Sequence, residues 1–519
     1  MPPPRRIFAP TLPPGLARSE SGKQVVIVGA GPVGLAAAIE LANHNIATVV
    51  LDDNNQVATG SRAICWSKRS LEIFDRLHIG DRAVAKGVTW QIGRTFHGNC
   101  EIFSFDLLPE EGHKRPAFIN LQQYYVEDYL LDVALASDLI DLRFCNTVTG
   151  IALREDDVLV TIETQSGPYH LSAAYLIACD GASSTVRSCL GLSFHGTTFE
   201  ERFLIADIEM ETPFPPERRF WFEPAFHPGQ SALLHKQPDN IYRIDLQLGP
   251  TADPEHEQQH GRVRSRIEKI VGTRSFRIDW VSVYVFKCCR LENLVHERVI
   301  FAGDSAHVLS PFGARGGNSG LQDIDALCWR LAAVLKSSAP AAILNDYNSE
   351  RLYAADENMT HTVRATRFMT PATPIEQIFR NQVLRLAACA PFARAWVNSG
   401  RLSTPAVYPM PDPLSGILPA VTRPGSVAAD APLADGWLMD RLRTRPTLLF
   451  IGSDGRTDPD IPAVTIQPNA FITERYLGDQ PAAVYLIRPD QVIANRWLNP
   501  TVDEIARAQK AVWTHRHAE

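Results

Sequence analysis

The chain has 519 residues, a formal net charge of −7, 45% hydrophobic residues and 21% charged residues. That length exceeds what one hydrophobic core organises and predicts about two to four domains. The acidic balance and the scattered Lys and Arg exclude the basic footprint of a nucleic-acid binder.

The opening stretch MPPPRRIFAPTLPPGLARSESG is proline-rich and has no apolar centre, so residues 1–22 are expected to be a flexible segment and not a secretory signal. The one long apolar run, Val25 to Ala42, is broken by Gly29, Gly31, Pro32, Gly34 and Glu40, which argues against a membrane span. The nine cysteines contain no C-x-x-C, and an odd number suits a reducing compartment. Cys288 and Cys289 close the strand-like run VSVYVFKCC and should point to opposite faces. A cytoplasmic protein with neither a membrane nor a nucleic-acid partner is expected.

QVVIVGAGPVGLAAAIELANHNIATVVLDD reads as strand, glycine turn, helix and strand, a βαβ unit. SKRSLEIFDRL is amphipathic, with Leu71, Phe74 and Leu77 at helical spacing, and LQQYYVEDYLLDVALAS is a further helix. A β-rich region follows from Phe203 to Phe286. In IYRIDLQL, Tyr242, Ile244, Leu246 and Leu248 share one face, and Arg243, Asp245 and Gln247 share the other. RVIFAGD is a buried strand, leading through GDSAHVLSPFGARGGNSGLQD into the helix-like IDALCWRLAAVL. Helical patterns continue to about residue 400. RPTLLFIG and AAVYLIRPDQVIANRW then supply strands, the latter around a Pro-Asp turn, and Thr501 with Glu504 forms a capping box.

Three motifs carry chemistry. Gly29-x-Gly31-x-x-Gly34 sits between a strand and a helix, where glycines permit a tight turn, close approach of a pyrophosphate and close helix packing. The helix N-terminus favours the phosphate charge, and Asp52 stands about 20 residues on, where an acid reaches a ribose. The second motif is the strand end CDGASSTVR, with Asp180 and Arg187, and the third is GDSAHVLSPFGARGGNSGLQD. Two such strand ends beside a single glycine fingerprint suggest one large dinucleotide touched at several points.

In this order and at these distances, GAGPVGLAAAIELA, CDGASSTVR and GDSAHVLSPFGARGGNSGLQD resemble the single-component FAD-dependent aromatic hydroxylases, in the branch of phenol and 3-(3-hydroxyphenyl)propionate hydroxylases. The resemblance spans residues 24 to about 400 and implies an α/β and α+β architecture. The Rossmann-like FAD-binding domain would comprise 23–95, 117–200 and 295–400, and a β-sheet substrate domain 96–116 and 201–294. A Pro-rich linker at 401–432 would lead to a thioredoxin-like C-terminal domain at 433–519. That domain has no cysteine, the last being Cys389, so dithiol chemistry is excluded there.

The same resemblance implies site roles. Gly29, Gly31, Pro32 and Gly34 would hold the FAD pyrophosphate, Asp52 the adenosine ribose, Arg62 the phosphates and Gln123 the flavin chain. Asp180 and Arg187 would serve both FAD and NAD(P)H. Gly303 and Asp304 would meet the ribityl chain, Pro311 the flavin edge beside substrate, and Gly316, Gly317 and Asn318 the isoalloxazine ring. The implied reaction consumes NAD(P)H and O2 and hydroxylates an aromatic substrate through a flavin C4a-hydroperoxide; a homodimer is a possible state.

Electrophilic oxygen prefers an electron-rich ring, so a base or cation near the substrate is useful. His235 and Arg243 are the candidates, Arg243 also as a carboxylate clamp. Both have plainer readings, as a hydrogen-bonded sheet residue and as a solvated pair with Asp245. Several competing activities lack their signatures. There is no G-x-S-x-G or H-E-x-x-H, Trp66 and Trp90 form no W-x-W-x-I-P, and Cys65 has no near cysteine. Baeyer–Villiger oxygenation, hydroxylation of a polyketide-type ring and a non-catalytic flavin-binding regulator are the alternatives.

Overall fold

The computed structural model describes residues 6–12, 20–57, 63–211, 214–272, 274–311, 313–397, 402–442, 444–453 and 462–514. The chain begins with β1 (Glu20–Val28), α1 (Pro32–Asn43), β2 (Thr48–Asp52), β3 (Cys65–Ser67) and α2 (Lys68–Arg76). Then come β4 (Ile92–His97), β5 (Cys100–Asp106), α3 (Gln123–Leu135), β6 (Ile140–Phe144) and β7 (Tyr169–Ala178). The next stretch holds β8 (His195–Glu209), β9 (Arg218–Phe222), β10 (Ser231–Lys236), β11 (Ile241–Gln247), α4 (His260–Val271) and β12 (Arg277–Arg290). After β13 (Val299–Phe301) the chain is helical: α5 (Gly316–Leu335), α6 (Ile343–Met369), α7 (Pro374–Cys389) and α8 (Pro391–Val397). The last elements are β14 (Thr447–Ile451), β15 (Ala463–Ile466), β16 (Ala483–Ile487), β17 (Ile493–Trp497) and α9 (Val502–Val512).

The strands β13, β7, β1, β2 and β6 lie side by side in that order, all parallel. Their apolar runs, such as Val25–Val28 and Leu176–Ala178, are buried under α1, α3 and α5, as a sheet covered on both faces requires. A second sheet runs β12-β8-β11-β10-β9-β4-β5. Tyr242, Ile244 and Leu246 pack on Val263, Ile267 and Val271 of α4, which accounts for one face of the alternation in β11. The opposite face is not solvated as its polar residues suggest: Arg243 and Gln247 are buried.

The C-terminal sheet runs β15-β14-β16-β17, with β14 and β15 parallel and the other pairs antiparallel. The capping box at Thr501 and Glu504 starts α9. Trp329 and Ile343 of the long helices share an apolar cluster with Leu448, Phe450, Val484, Leu486, Ile505 and Val512. Beside it lies a buried charge network. Arg69 donates to Asp325 (2.6 Å), Gln491 Oε1 (2.7 Å) and the Asp490 carbonyl (2.8 Å), and Arg76 bonds the same Asp325 and Gln491. Arg488 spans Glu350 (2.6 Å) and Asp490 (2.9 Å).

Two segments make contacts with the rest of the chain. Within the N-terminal stretch, two of the described residues do so. Phe8 stacks on Phe144 at 4.3 Å, and Arg6 reaches Asp128 and Asp132. The Pro-rich 401–432 stretch contributes Leu418, Ala428, Ala429 and Ala431 to the C-terminal core, and Tyr408 accepts from Arg351 at 3.0 Å. No helix among the described residues is long and apolar enough to cross a membrane.

Candidate active site

Four turns meet at the carboxyl edge of the parallel sheet: Gly29 after β1, Asp52 at the end of β2, Asp180 after β7 and Gly303 after β13. This edge is where open α/β sheets bind ligands. Gly29 has φ +103°, and a Cβ there would lie 2.5 Å from the Cys179 carbonyl oxygen. A Cβ on Gly34 would lie 1.9 Å from the Gly29 carbonyl oxygen. Gly31 differs, since nothing lies within 4 Å of its would-be Cβ. Pro32 opens α1, whose first turn has no acid and whose N-cap makes no side-chain bond. The first N–H groups are thus left for an anion, and the open space at Gly31 fits a dinucleotide phosphate.

Asp52 accepts the Ala30 N–H at 2.6 Å and the Asn54 N–H at 2.8 Å, which locks it beside the glycine turn. Burial holds its carboxyl above the usual range despite those bonds. Gln123 begins α3, accepts from the Ala63 N–H at 3.1 Å and donates to Glu127 at 2.7 Å. Arg62 lies outside the described residues. Asp180 accepts the Val186 N–H at 3.0 Å through Oδ2, while its Oδ1 is buried without a partner. Arg187 donates to the Ala182 carbonyl (2.7 Å) and the Ser305 carbonyl (3.3 Å), joining the second motif to the third.

The third motif is held from below. Asp323 Oδ2 accepts the Gly303 N–H at 2.9 Å and contacts His307 Nε2 at 2.8 Å, while Oδ1 accepts from Arg351 at 2.7 Å. Burial opposes charge on Asp323, but His307 and Arg351 outweigh it and hold the carboxyl below its usual range. The helix starts earlier than its pattern suggests: Gly316, Gly317 and Asn318 form the first turn of α5 and do not lie in the loop before it. Asp304 lies next to this turn, its Oδ1 4.0 Å from where a Gly316 Cβ would be. Gly320 lies inside the helix, at a position where a Cβ would meet Val33 Cγ2 at 2.7 Å, which is why the helix carries a glycine there. Asn318 is a staple to β3: its Oδ1 accepts the Ser67 N–H (2.9 Å), and its Nδ2 donates to the Cys65 carbonyl (2.8 Å).

A cavity of about 870 Å³, its open mouth included, lies between β4, β9, Gly313, α6 and α8. Phe105, Phe220, Phe222 and Trp396 form its apolar walls. Arg94, Arg218, Arg315, Arg364 and His361 also line it, and no carboxylate is among the described lining residues. Arg94 is engaged by Glu217 (2.8 Å) and Glu101 (3.0 Å), and Arg315 donates to Asn358 at 2.6 Å.

The structure places neither His235 nor Arg243 on this cavity. Arg243 is not the free clamp envisaged, nor a solvated pair with Asp245. Its Nε and Nη2 donate to both oxygens of buried Asp207 on the neighbouring strand, at 2.9 and 2.7 Å. His235 Nδ1 lies 3.9 Å from Cys65 Sγ. Burial, with Arg218 and Arg243 nearby, pushes this imidazole well below its usual range, so it is neutral and supplies no cation. Burial also pushes the Cys65 thiol up to about 12, which removes thiolate chemistry. Pro311 sits on an exposed turn closed by the Ala314 N–H, two residues before the lining residue Gly313. Arg218 was not foreseen, although RRFWF alternates Arg218, Phe220 and Phe222 onto one face.

Comparison with known proteins agrees with this geometry. Residues 23–362 match the family model described as FAD binding domain. A flavin-dependent monooxygenase of Mycobacteroides abscessus is 30% identical over 498 residues, covering 90% of this chain and 96% of its own. A 3-(3-hydroxy-phenyl)propionate/3-hydroxycinnamic acid hydroxylase of Mycolicibacterium gilvum is 26% identical over 425 residues, covering 82% and 72%. The fold is similar to that of the flavin-dependent monooxygenase PieE, solved in complex with FAD and substrate, with TM-score 0.79 and 22% identity over 94% of this chain and 98% of that one.

Proposed function

The chain belongs to the FAD binding domain family and is a flavoprotein monooxygenase, and we propose that it hydroxylates a phenolic or related aromatic ring with NAD(P)H and O2. The balanced reaction takes an aromatic C–H, NAD(P)H, a proton and O2 to the phenol, NAD(P)+ and water. Bound FAD supplies the activated oxygen that the polypeptide cannot generate.

The remaining work falls to the residues described. Gly29, Gly31, Pro32 and Gly34 present the α1 N-terminus to the pyrophosphate, and Asp52 offers its carboxylate to the adenosine ribose. Gln123 and Asp304 take the flavin chain, and the first turn of α5, from Gly316 to Asn318, lies along the ring system. Asp180 and Arg187 support contact with both FAD and NAD(P)H. Phe105, Phe220 and Phe222 exclude water and hold the substrate ring flat, which strengthens every polar interaction in the cavity. A homodimer belongs to the same proposal, supported by the exposed apolar stripe Ile375, Ile378 and Phe379 of α7 with Phe392 of α8.

The observation that carries this reading is the continuity of the two halves of the site. Gly313 lines the aromatic cavity, and three residues later Gly316 starts the helix beside Asp304. The test is a panel of phenols, hydroxylated aromatic acids and fused-ring phenols, scored for both NAD(P)H oxidation and hydroxylated product. A yellow protein that turns over reductant in response to some of these, with product, is expected. A yellow protein with no response to any aromatic overturns the proposal.

A further inference from the structure

We propose that the substrate carries a carboxylate and that Arg218 receives it, an inference resting on the reading of this chain as an aromatic hydroxylase. Arg218 lines the cavity, its Nε is buried without a partner, and its guanidinium makes no hydrogen bond or ion pair with any described residue. Burial also pushes its guanidinium below the usual range. An arginine stays protonated even so, and a desolvated guanidinium without a counter-ion is costly.

None of the neighbours of Arg218 forms an ion pair with it. Arg219 is opposite Leu234, which sets Arg218 beside His235; His235 is opposite Arg243, and Arg243 is opposite Asp207. In that row across four strands the one acid, Asp207, is taken by both arms of Arg243. His235 is a neutral ring. Asp245 acts on Arg218 only at a distance, since it forms no ion pair with it. Among the other cavity arginines, Arg94 and Arg315 are bonded to protein groups, and Arg364 lies at the exposed rim.

The same strand supplies a geometry for the ligand. Phe220 and Phe222 follow Arg218 at the two-residue period of β9 and line the same cavity. A ring laid against these aromatic side chains has its substituent directed along the strand to Arg218. A planar guanidinium receives a carboxylate through two parallel hydrogen bonds. A neutral analogue leaves the guanidinium unpaired, so the site discriminates against it.

The test is equilibrium binding to the FAD-loaded enzyme, without reductant, followed by fluorescence quenching. The probes are 4-hydroxyphenylacetate and 6-hydroxy-2-naphthoate, each paired with its primary amide. At least one acid is expected to bind roughly 10- to 100-fold tighter than its amide. Arg218→Met should bring the acid down to the affinity of the amide, and Arg218→Lys should keep part of the preference. Equal binding of acid and amide in both pairs by the unaltered enzyme overturns the inference without any variant, as does a preference that survives Arg218→Met. A preference for the acid, together with no response of the yellow protein to any aromatic of the panel, upholds the anion site and overturns the hydroxylase reading instead.

Discussion

Asp245 offers a direct measure of how dry the polar face of the second sheet is. Its Oδ1 is buried without a partner, and burial raises its carboxyl from 3.8 to about 6. Asp207 pushes in the same direction, while Arg243 and Arg218 pull against it. That displacement corresponds to about 3 kcal/mol, at roughly 1.36 kcal/mol per pH unit. In the unfolded chain the group ionises near its ordinary value, so the folded state holds a proton that the unfolded state has released. Its stabilising contribution is complete below 3.8 and is lost as pH rises through about 6. Asp245→Asn has no proton to lose. Between pH 4.5 and pH 7.5 the variant should therefore gain about 2 kcal/mol relative to the unaltered protein, about 1.5 pH units of that window lying below the folded value. Urea unfolding of both FAD-loaded proteins at the two pH values, followed by tryptophan fluorescence, reads this gain. The same stability difference at both pH values would refute the reasoning, because it would mean that Asp245 ionises as it does in water.

Three further outcomes are expected. Gly29→Ala places a Cβ 2.5 Å from a carbonyl oxygen at φ +103°, so the purified protein should lose most of its bound FAD, read as the ratio of visible to ultraviolet absorbance. Arg243→Met leaves Asp207 buried without its ion-pair partner and should cost about 3–5 kcal/mol, whereas the double variant Arg243→Met with Asp207→Leu should recover most of that loss; a double-mutant cycle in urea gives the coupling. Removing residues 402–519 strips Arg69 of Gln491 and Asp490 and uncovers Trp329, so the truncated chain should aggregate, and a stable monomer with full FAD content would contradict the buried network.

Local spacing made much of this molecule readable. The glycine turn, Asp52 and the βαβ unit all fall within a short stretch, and the alternation in IYRIDLQL assigned its faces correctly. What stayed hidden depends on partners far apart in the chain. Periodicity told which face Arg243 occupies, but not that Asp207, 36 residues earlier, lies opposite. The support of Gly303 by Asp323, with His307 and Arg351, is a meeting of helix and loop that no local pattern announces. The start of α5 was obscured because Gly316 and Gly317 are poor helix formers; tertiary packing against β3, through Asn318, overrides that preference. Proline and small residues likewise made 401–432 read as a linker, although its Leu and Ala side chains fill the C-terminal core.

The charge network between the C-terminal sheet and the long helices has a thermodynamic consequence. α2, α5 and α6 each send a buried side chain to Asp490, Gln491 or Arg488, and α5 is also the helix whose first turn stands beside Asp304. A ligand that binds only the folded state stabilises whatever unfolds with its site. FAD occupancy should therefore be felt as protection against amide exchange in β16 and β17, in a domain that need not touch the cofactor. If the cofactor lies beside α5 as proposed, the cysteine-free C-terminal segment acts as ballast for that helix, and its own folding energy becomes part of what holds the flavin.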